Sequence, residues 1–490
     1  MARSLAKAIF TLDVTRMDAI RADRPGLNKL GKILRQASPA VLSGGLAAVV
    51  AGLGGDAAAI LAALGAGAWA GDGAAGHFER RFQEARFTRE IEGANTLILR
   101  IQKERDLLSQ QIEGLREQSS VGGIGRATLL PDDPARLRER IIGLQIEAAG
   151  KRGELLEACG HLLKTQEAQG LVQPRRLGDK YIVIEKIGEG GYGTVSAVYH
   201  QSMEALMVVK ESLDVARLKT EAQLSRKAQK QLQNQPHAAK VCSIVDFDDK
   251  NGLAVMDYIP GLDLKTVLDI ARRYPLREAP ALTIMEAGEV MRQILNAFKV
   301  IHHGLGVQVV HRDLKPENMM LTKWQREGRQ NLIIVVNLLD FGIAKRRDRR
   351  ATMDSRNVLG TPHYMAPEQW HGSDVTYKAD IYAKGILLFE MLTGRVPFEP
   401  PPEIGAPELF NWGMYQLPQL IRAGVPDISK EQIGRIYPPT ILEPIQEFLM
   451  STITVDPRER GDAEGLLEHI ETMMSAAESF EPTVHQRMGG

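Results

Sequence analysis

The rhythm of hydrophobic and polar positions changes several times along the 490-residue chain. After Lys180 come short runs rich in β-branched and aromatic residues, YIVIEKIG, TVSAVYH, ALMVVK, KVCSIVDF and GLAVMDYI, which predict strands. From about residue 263 onward helical patterns dominate. Strands first and helices later predict an α+β domain over 180–475, with a β-rich N-terminal lobe and a helical C-terminal lobe.

The region before it predicts mostly helix. Residues 1–76 combine a basic helix-like segment, carrying Arg16, Arg21, Arg24, Lys29, Lys32 and Arg35, with a Gly/Ala-rich apolar tract at 37–71 whose one charge is Asp56. Over 77–118 apolar residues settle into a 4-3 alternation. Ile91, Ile98, Arg105 and Ile112 hold one position, and Phe87, Ala94, Ile101, Leu108 and Leu115 hold the other. That spacing predicts a two-stranded coiled coil, hence a homodimer, with Arg105 fixing register at a cost in stability. Residues 119–179 read as linker around a second amphipathic helix at roughly 135–168, with Leu137, Ile141, Leu144, Ala148, Leu155 and Leu162 on one face. This helix either folds back on the coil or extends it. Residues 476–490 read as a disordered tail.

Composition narrows the class. Lysine plus arginine and aspartate plus glutamate each number 61, so no global charge points to nucleic acid. Two cysteines, Cys159 and Cys242, exclude a disulfide framework and suit a reducing compartment. No secretory pattern opens the chain, so a cytoplasmic setting is expected. The tract at 37–71 admits two readings. It forms a soluble helical hairpin broken at GLGGD, or it associates with a membrane as a hairpin whose basic flanks keep both ends cytoplasmic. Each half is shorter than the ~20 residues of an ordinary span.

Several motifs carry chemistry. IGEGGYGTV (187–195) contains GxGxxG, but TVSAVYH alternates as a strand, so the glycines form a hairpin tip rather than the entry to a dinucleotide-binding helix. Small residues there let backbone amides approach phosphate oxygens. Lys210 ends an apolar run about one hairpin downstream, where an anionic partner would explain it. HRDLKPEN (311–318) gathers charges between apolar runs, and taken alone it is either a solvated turn or a chemical pocket. LLDFG (338–342) ends a strand on an aspartate, and GTPHYMAPEQ follows a charged loop.

In this order the motifs resemble the eukaryotic-like Ser/Thr protein kinases in their bacterial form, over residues 180–475. The resemblance implies a two-lobed kinase fold and an ATP- and Mg²⁺-dependent transfer of the γ-phosphate to protein hydroxyls. It implies that Ile187, Gly188, Glu189, Gly190, Gly191, Tyr192, Gly193, Thr194 and Val195 cover ATP. Val208, Met256, Asp257, Ile259 and Met320 would enclose the adenine, and Lys210, paired with Glu221, would hold the phosphates. Asp313 would accept the substrate proton, Lys315 would steady the γ-phosphate, and Asn318 and Asp340 would bind magnesium. By the same resemblance Glu368 pairs with Arg460, Asp380 braces the catalytic loop, and Arg312 receives a phosphate on Thr352 or Ser355. Two features depart from the family: Glu221 falls early in sequence, and the stretch 318–340 is long, with KWQREGRQN expected to be an enlarged polar turn. The rival reading is a catalytically silent scaffold acting through its helical N-terminal region. The substrate protein and the activating signal are not legible.

Overall fold

The computed structural model describes residues 134–190, 193–235, 237–242, 244–273, 281–304, 310–327, 331–340, 362–371, 375–401 and 405–487, and a few single positions before 134. The expected coiled coil, the apolar tract at 37–71 and the loop bearing Thr352 and Ser355 therefore lie outside the described residues. No described helix is long and apolar enough to cross a membrane.

The helices, in chain order, are α1 (Pro134–Ala168), α2 (Val215–Leu232), α3 (Leu264–Arg273), α4 (Ile284–Gly304), α5 (Pro367–Trp370), α6 (Lys378–Thr393), α7 (Ala406–Asn411), α8 (Leu417–Ala423), α9 (Pro439–Thr452) and α10 (Ala463–Arg487). The strands are β1 (Arg176–Leu177), β2 (Tyr181–Gly190), β3 (Gly193–His200), β4 (Ala205–Glu211), β5 (Lys240–Val241), β6 (Ile244–Asp248), β7 (Leu253–Asp257), β8 (Leu262–Asp263), β9 (Met319–Glu327) and β10 (Asn331–Leu338). They fall into two compact units. The first holds Gly153–Gly188 and Val195–Val208, and the second holds Asp106–Arg152, Glu189–Thr194 and Val209–Gly490.

In the first unit the strand order is β1-β2-β3-β4, and β1 pairs antiparallel with β2 through Arg176↔Ile182 and Leu177↔Tyr181. The C-terminal half of α1 lies against β3. A Cβ at Gly160 would fall 2.5 Å from the Tyr199 side chain, so only glycine allows the helix this close. His161 Nδ1 and the Tyr199 hydroxyl are 3.3 Å apart, and Arg176 grips Glu167 through two hydrogen bonds of 2.8 and 2.6 Å.

In the second unit the order β4-β7-β6 forms one sheet portion and β5-β10-β9-β8 a second sheet. The hydrophobic core joins α4, α6, α9 and α10. Helix α6 runs through that core and is buried on every face from Ala379 to Leu392, its charged Asp380, Lys384 and Glu390 included. It ends at Gly394, whose φ of +79° sets a left-handed cap; its amide donates to the Glu390 carbonyl at 2.8 Å.

Three sequence expectations change here. Helix α1, expected to fold back on the coil or extend it, sets its N-terminal half into this core: Ile141, Ile142 and Ile146 are buried with Trp324 and Ile334, and Leu144 of the expected face packs against them. The stretch expected to be an enlarged polar turn is an extended hairpin, paired out to Glu327↔Asn331, in which Trp324 is 3% exposed. It extends because Trp324 and Ile334 have an apolar floor in α1. The tail expected to be disordered continues α10, with Ala477 buried and the Phe480 ring 5.8 Å from that of Tyr437.

Candidate active site

Local structure brings the charged motifs of the second unit into two linked groups. Helix α2 starts at an N-cap, Asp214, which accepts from the Arg217 amide at 3.0 Å. Its inward face is Leu218, Glu221, Ala222 and Ser225, at helical spacing, so Glu221 is buried beside apolar neighbours. Lys210, 9% exposed near the end of β4, donates to Glu221 Oε1 and Oε2 at 3.2 and 3.4 Å and to Asp340 Oδ1 at 2.5 Å. Early placement of Glu221 in sequence does not keep it from the lysine.

These three groups tune one another. Burial pushes the Glu221 carboxyl up to about 7, against the pull of Lys210, and the Asp340 charge adds to the rise. Burial alone would lower Lys210, but Asp340 and Glu221 outweigh it and the ammonium is held above its ordinary value. For Asp340 burial is again opposed by Lys210, which wins and keeps the carboxyl low. The result is a cation held between two carboxyl groups of different proton affinity.

The second group is the loop after α4. Asn318 Nδ2 donates to the Asp313 carbonyl at 2.8 Å and approaches Asp313 Oδ2 at 3.3 Å. Lys315 Nζ lies 3.5 Å from the same Oδ2. Asp380, 1% exposed on α6, takes the His311 amide on Oδ2 at 2.8 Å and the Arg312 amide on Oδ1 at 2.9 Å. That grip holds Arg312 at φ +63°, a left-handed conformation an L-residue adopts only under constraint. Asp340 stands at φ +44° under a similar demand.

The hairpin β9–β10 links the groups. Asn318 precedes β9, Asp340 lies two residues past the end of β10, and the Leu339 amide donates to the Asn318 carbonyl at 2.9 Å. Asn318 and Asp340 therefore sit at the same end of one ladder. His311 Nε2 lies 3.3 Å from the Leu339 carbonyl and adds a second tie.

This donor set fits magnesium. With Asn318 Nδ2 turned to Asp313, its amide oxygen is the available acceptor, and Asp340 supplies a carboxylate; hard cations take such oxygens. Lys210 is a buried cation of the kind an anionic ligand would need. Met256 and Asp257 close β7, Ile259 follows, and Met320 on β9 pairs with Asp263 on β8. Gly193 has φ +133°, and a Cβ there would lie 1.7 Å from the Glu211 carbonyl oxygen, so this position of the hairpin tip demands glycine. Glu189, Gly190 and Thr194 share the unit with it, Gly191 and Tyr192 lie outside the described residues, and Ile187, Gly188, Val195 and Val208 belong to the first unit.

The buried pair joining Glu368 and Arg460 is bidentate, at 2.7 and 2.8 Å. Sequence reasoning missed three supports. His302 Nε2 lies 3.1 Å from Asp380 Oδ2; Gln369, next to the predicted Glu368, donates to the Arg312 carbonyl at 3.1 Å; and Tyr364 donates to Glu390 at 2.5 Å. Tyr364 and Gln369 had a signal, their place within GTPHYMAPEQ, and His302 had none. Both thiols are inert, burial pushing Cys159 and Cys242 up to about 12.

Known proteins similar to this chain are serine/threonine-protein kinases by name. Over 238 residues the chain is 36% identical to the serine/threonine-protein kinase pkn3 of Myxococcus xanthus, a match covering 46% of this chain and 40% of that protein. It is 35% identical over 243 residues to the serine/threonine-protein kinase PkaA of Streptomyces coelicolor, covering 46% and 40%. With the serine/threonine-protein kinase PrkC of Bacillus subtilis it shares 31% over 233 residues, covering 46% and 32%. The matches thus span 40% or less of these relatives' own lengths. Residues 181–470 match the family model described as the protein kinase domain, which is more than half of the chain, and the chain belongs to that family.

Proposed function

We propose that the chain is an ATP-dependent serine/threonine protein kinase, using Mg²⁺ and transferring the γ-phosphate to protein hydroxyls. The observation that supports this most is the joining of Lys210, Glu221 and Asp340 to Asp313, Lys315 and Asn318 through one end of the β9–β10 ladder. Phosphoryl transfer asks little covalent chemistry of a protein; it asks for aligned reactants and compensated charge. In this reading Lys210 anchors phosphate oxygens, oriented by Glu221. Asn318 and Asp340 hold the magnesium, which when bound compensates phosphate charge. The Asp313 carboxylate takes the hydrogen bond of the incoming hydroxyl and directs its lone pair, and Lys315 approaches the transferred group. Asp380 keeps the backbone of that loop fixed while Asp313 works.

Ile187 to Val195, Val208, Met256, Asp257, Ile259 and Met320 are assigned to the nucleotide, on the motifs they occupy. Autophosphorylation at Thr352 or Ser355 is assigned to activation, because both lie among basic residues that follow the Asp340 motif. The heptads of 77–118 support a homodimer in which one copy modifies the other, and 37–71 forms either a soluble helical hairpin or a membrane-associated one whose basic flanks keep the catalytic domain on the cytoplasmic side.

The test is phosphosite mapping by mass spectrometry after incubation of the full chain with Mg-ATP, beside an Asp313→Asn copy. Phosphate on Thr352 or Ser355 in the unaltered copy alone is the expected result. Phosphate on neither, together with no transfer to an added model protein, would leave the silent-scaffold reading in its place.

A further inference from the structure

Helix α6 carries a lysine at its most enclosed point. Lys384 is 0% exposed, between Ala383 and Gly385, in a helix otherwise lined by Ile381, Tyr382, Ile386, Leu387 and Phe389. Its Nζ stands 3.9 Å from the centroid of the Phe298 ring and donates to the Asp380 carbonyl at 3.3 Å. A leucine would fill such a place without desolvating a charge, so the amine calls for a physical reason.

The reason lies in the surrounding charges. Phe298 is flanked by the His302 ring at 5.1 Å and the His311 ring at 6.0 Å. The titratable groups facing Lys384 are Asp380 on its own helix, His302 on α4 and His311 on the catalytic loop. Burial lowers His311, while Asp380 is held below its ordinary value. Among the described residues the Asp380 carboxylate is met by two backbone amides and the His302 ring. Lys384, one turn along, adds to the His302 ring a positive charge that favours the carboxylate, and the Phe298 ring face helps to hold the ammonium there. Without that charge the buried carboxylate is driven toward protonation, and a protonated carboxyl is a weaker acceptor for the two amides that fix Arg312 at φ +63° beside Asp313.

We propose that Lys384 is a positioning residue for the catalytic loop, acting through Asp380 to hold the His311 and Arg312 amides and thereby the place of Asp313. The turnover part of this proposal rests on the kinase reading; the structural part does not. Burial draws Lys384 down to about 8, which makes its charge accessible to titration.

The experiment uses the full chain with Lys384→Met and Lys384→Gln copies. Amide hydrogen exchange of the peptide bearing His311 and Arg312 is measured without nucleotide, and phosphate transfer from Mg-ATP to myelin basic protein is measured from pH 6.5 to 9. The expected result is at least tenfold faster exchange at those amides in both variants. Turnover falls at least tenfold with KM for ATP within twofold, and a wild-type decline above about pH 8 is missing from the variants. The unaltered protein supplies the same test without substitution: protection at the two amides drops as the pH passes 8, after correction for intrinsic base catalysis. Wild-type exchange in the variants, or protection that stays level through pH 9, overturns the proposal. Absence of transfer by every copy overturns the kinase reading instead, and exchange still decides the role of Lys384.

Discussion

Arg138 of α1 and Glu286 of α4 form a buried ion pair at 2.9 Å, with side chains 1% and 3% exposed. Glu286 also accepts the Thr283 amide at 2.9 Å, while the Thr283 hydroxyl accepts the Glu286 amide at 3.2 Å, a reciprocal cap that opens α4. Arg138 further donates to the Ala281 carbonyl at 2.6 Å. A helix that precedes the family-matched region thus completes the start of the helix leading to the catalytic loop. Arg138→Ala leaves a buried carboxylate without its cation and is expected to cost about 3 kcal/mol. Urea denaturation of the full chain measures it, and a loss below 1 kcal/mol would show that Arg138 is replaceable.

The residues gathered around Lys210 and Asp313 were legible in the sequence because their motifs stand in the order of the protein kinase family, which the chain matches. Asp380 and the pair Glu368–Arg460 were legible for the same reason. What stayed hidden depends on distant partners. Arg138 in an apolar stripe reads as the solvent edge of a helix until Glu286 is placed beside it. KWQREGRQN reads as a polar turn until α1 supplies a floor for Trp324, and the polar residues around 476–487 read as a tail until Tyr437 meets Phe480. Lys384 stands beside Asp380 in a stretch that reads as a buried helix, but its own role stayed hidden until its amine met the Phe298 ring.

Glu221 orients Lys210, and its removal is expected to leave that ammonium to Asp340 alone. Small displacements of a positioning group cost on the order of 10²-fold in rate. Glu221→Ala is therefore expected to lower phosphate transfer by about that factor while the chain still melts cooperatively. Initial rates at saturating Mg-ATP give the comparison; a rate within threefold of the unaltered protein would remove Glu221 from the site.

The Arg460 guanidinium is wholly buried, bonded to both oxygens of Glu368 and to the Thr454 and Lys378 carbonyls. Truncating it strands a buried carboxylate and two carbonyls at once. Arg460→Ala is expected to destabilise the protein by roughly 3–5 kcal/mol, and Arg460→Lys to recover only part, because an ammonium cannot span both carboxylate oxygens. Parallel chemical denaturation of the two variants separates charge from geometry: equal losses would mean that the fork is irrelevant.

Acid should expose the brace beneath the catalytic loop. Burial opposes ionisation of Asp380, but the nearby His302 ring, Lys384 and His311 outweigh it and hold the carboxyl at about 2, below its ordinary value of 3.8. A folded-state value lower than the unfolded one means the unfolded chain binds the proton first, so stability falls as the pH drops. The contribution is fully present above about pH 4 and is lost between about pH 4 and pH 2, amounting to roughly 2 kcal/mol. Asp380→Asn cannot titrate, so its stability should be flatter across that window than that of the unaltered protein, from a lower starting point at pH 7. Denaturation midpoints at closely spaced pH values check both features. Parallel curves for the two proteins between pH 4 and pH 2 would mean that Asp380 is not the group whose ionisation supports the loop.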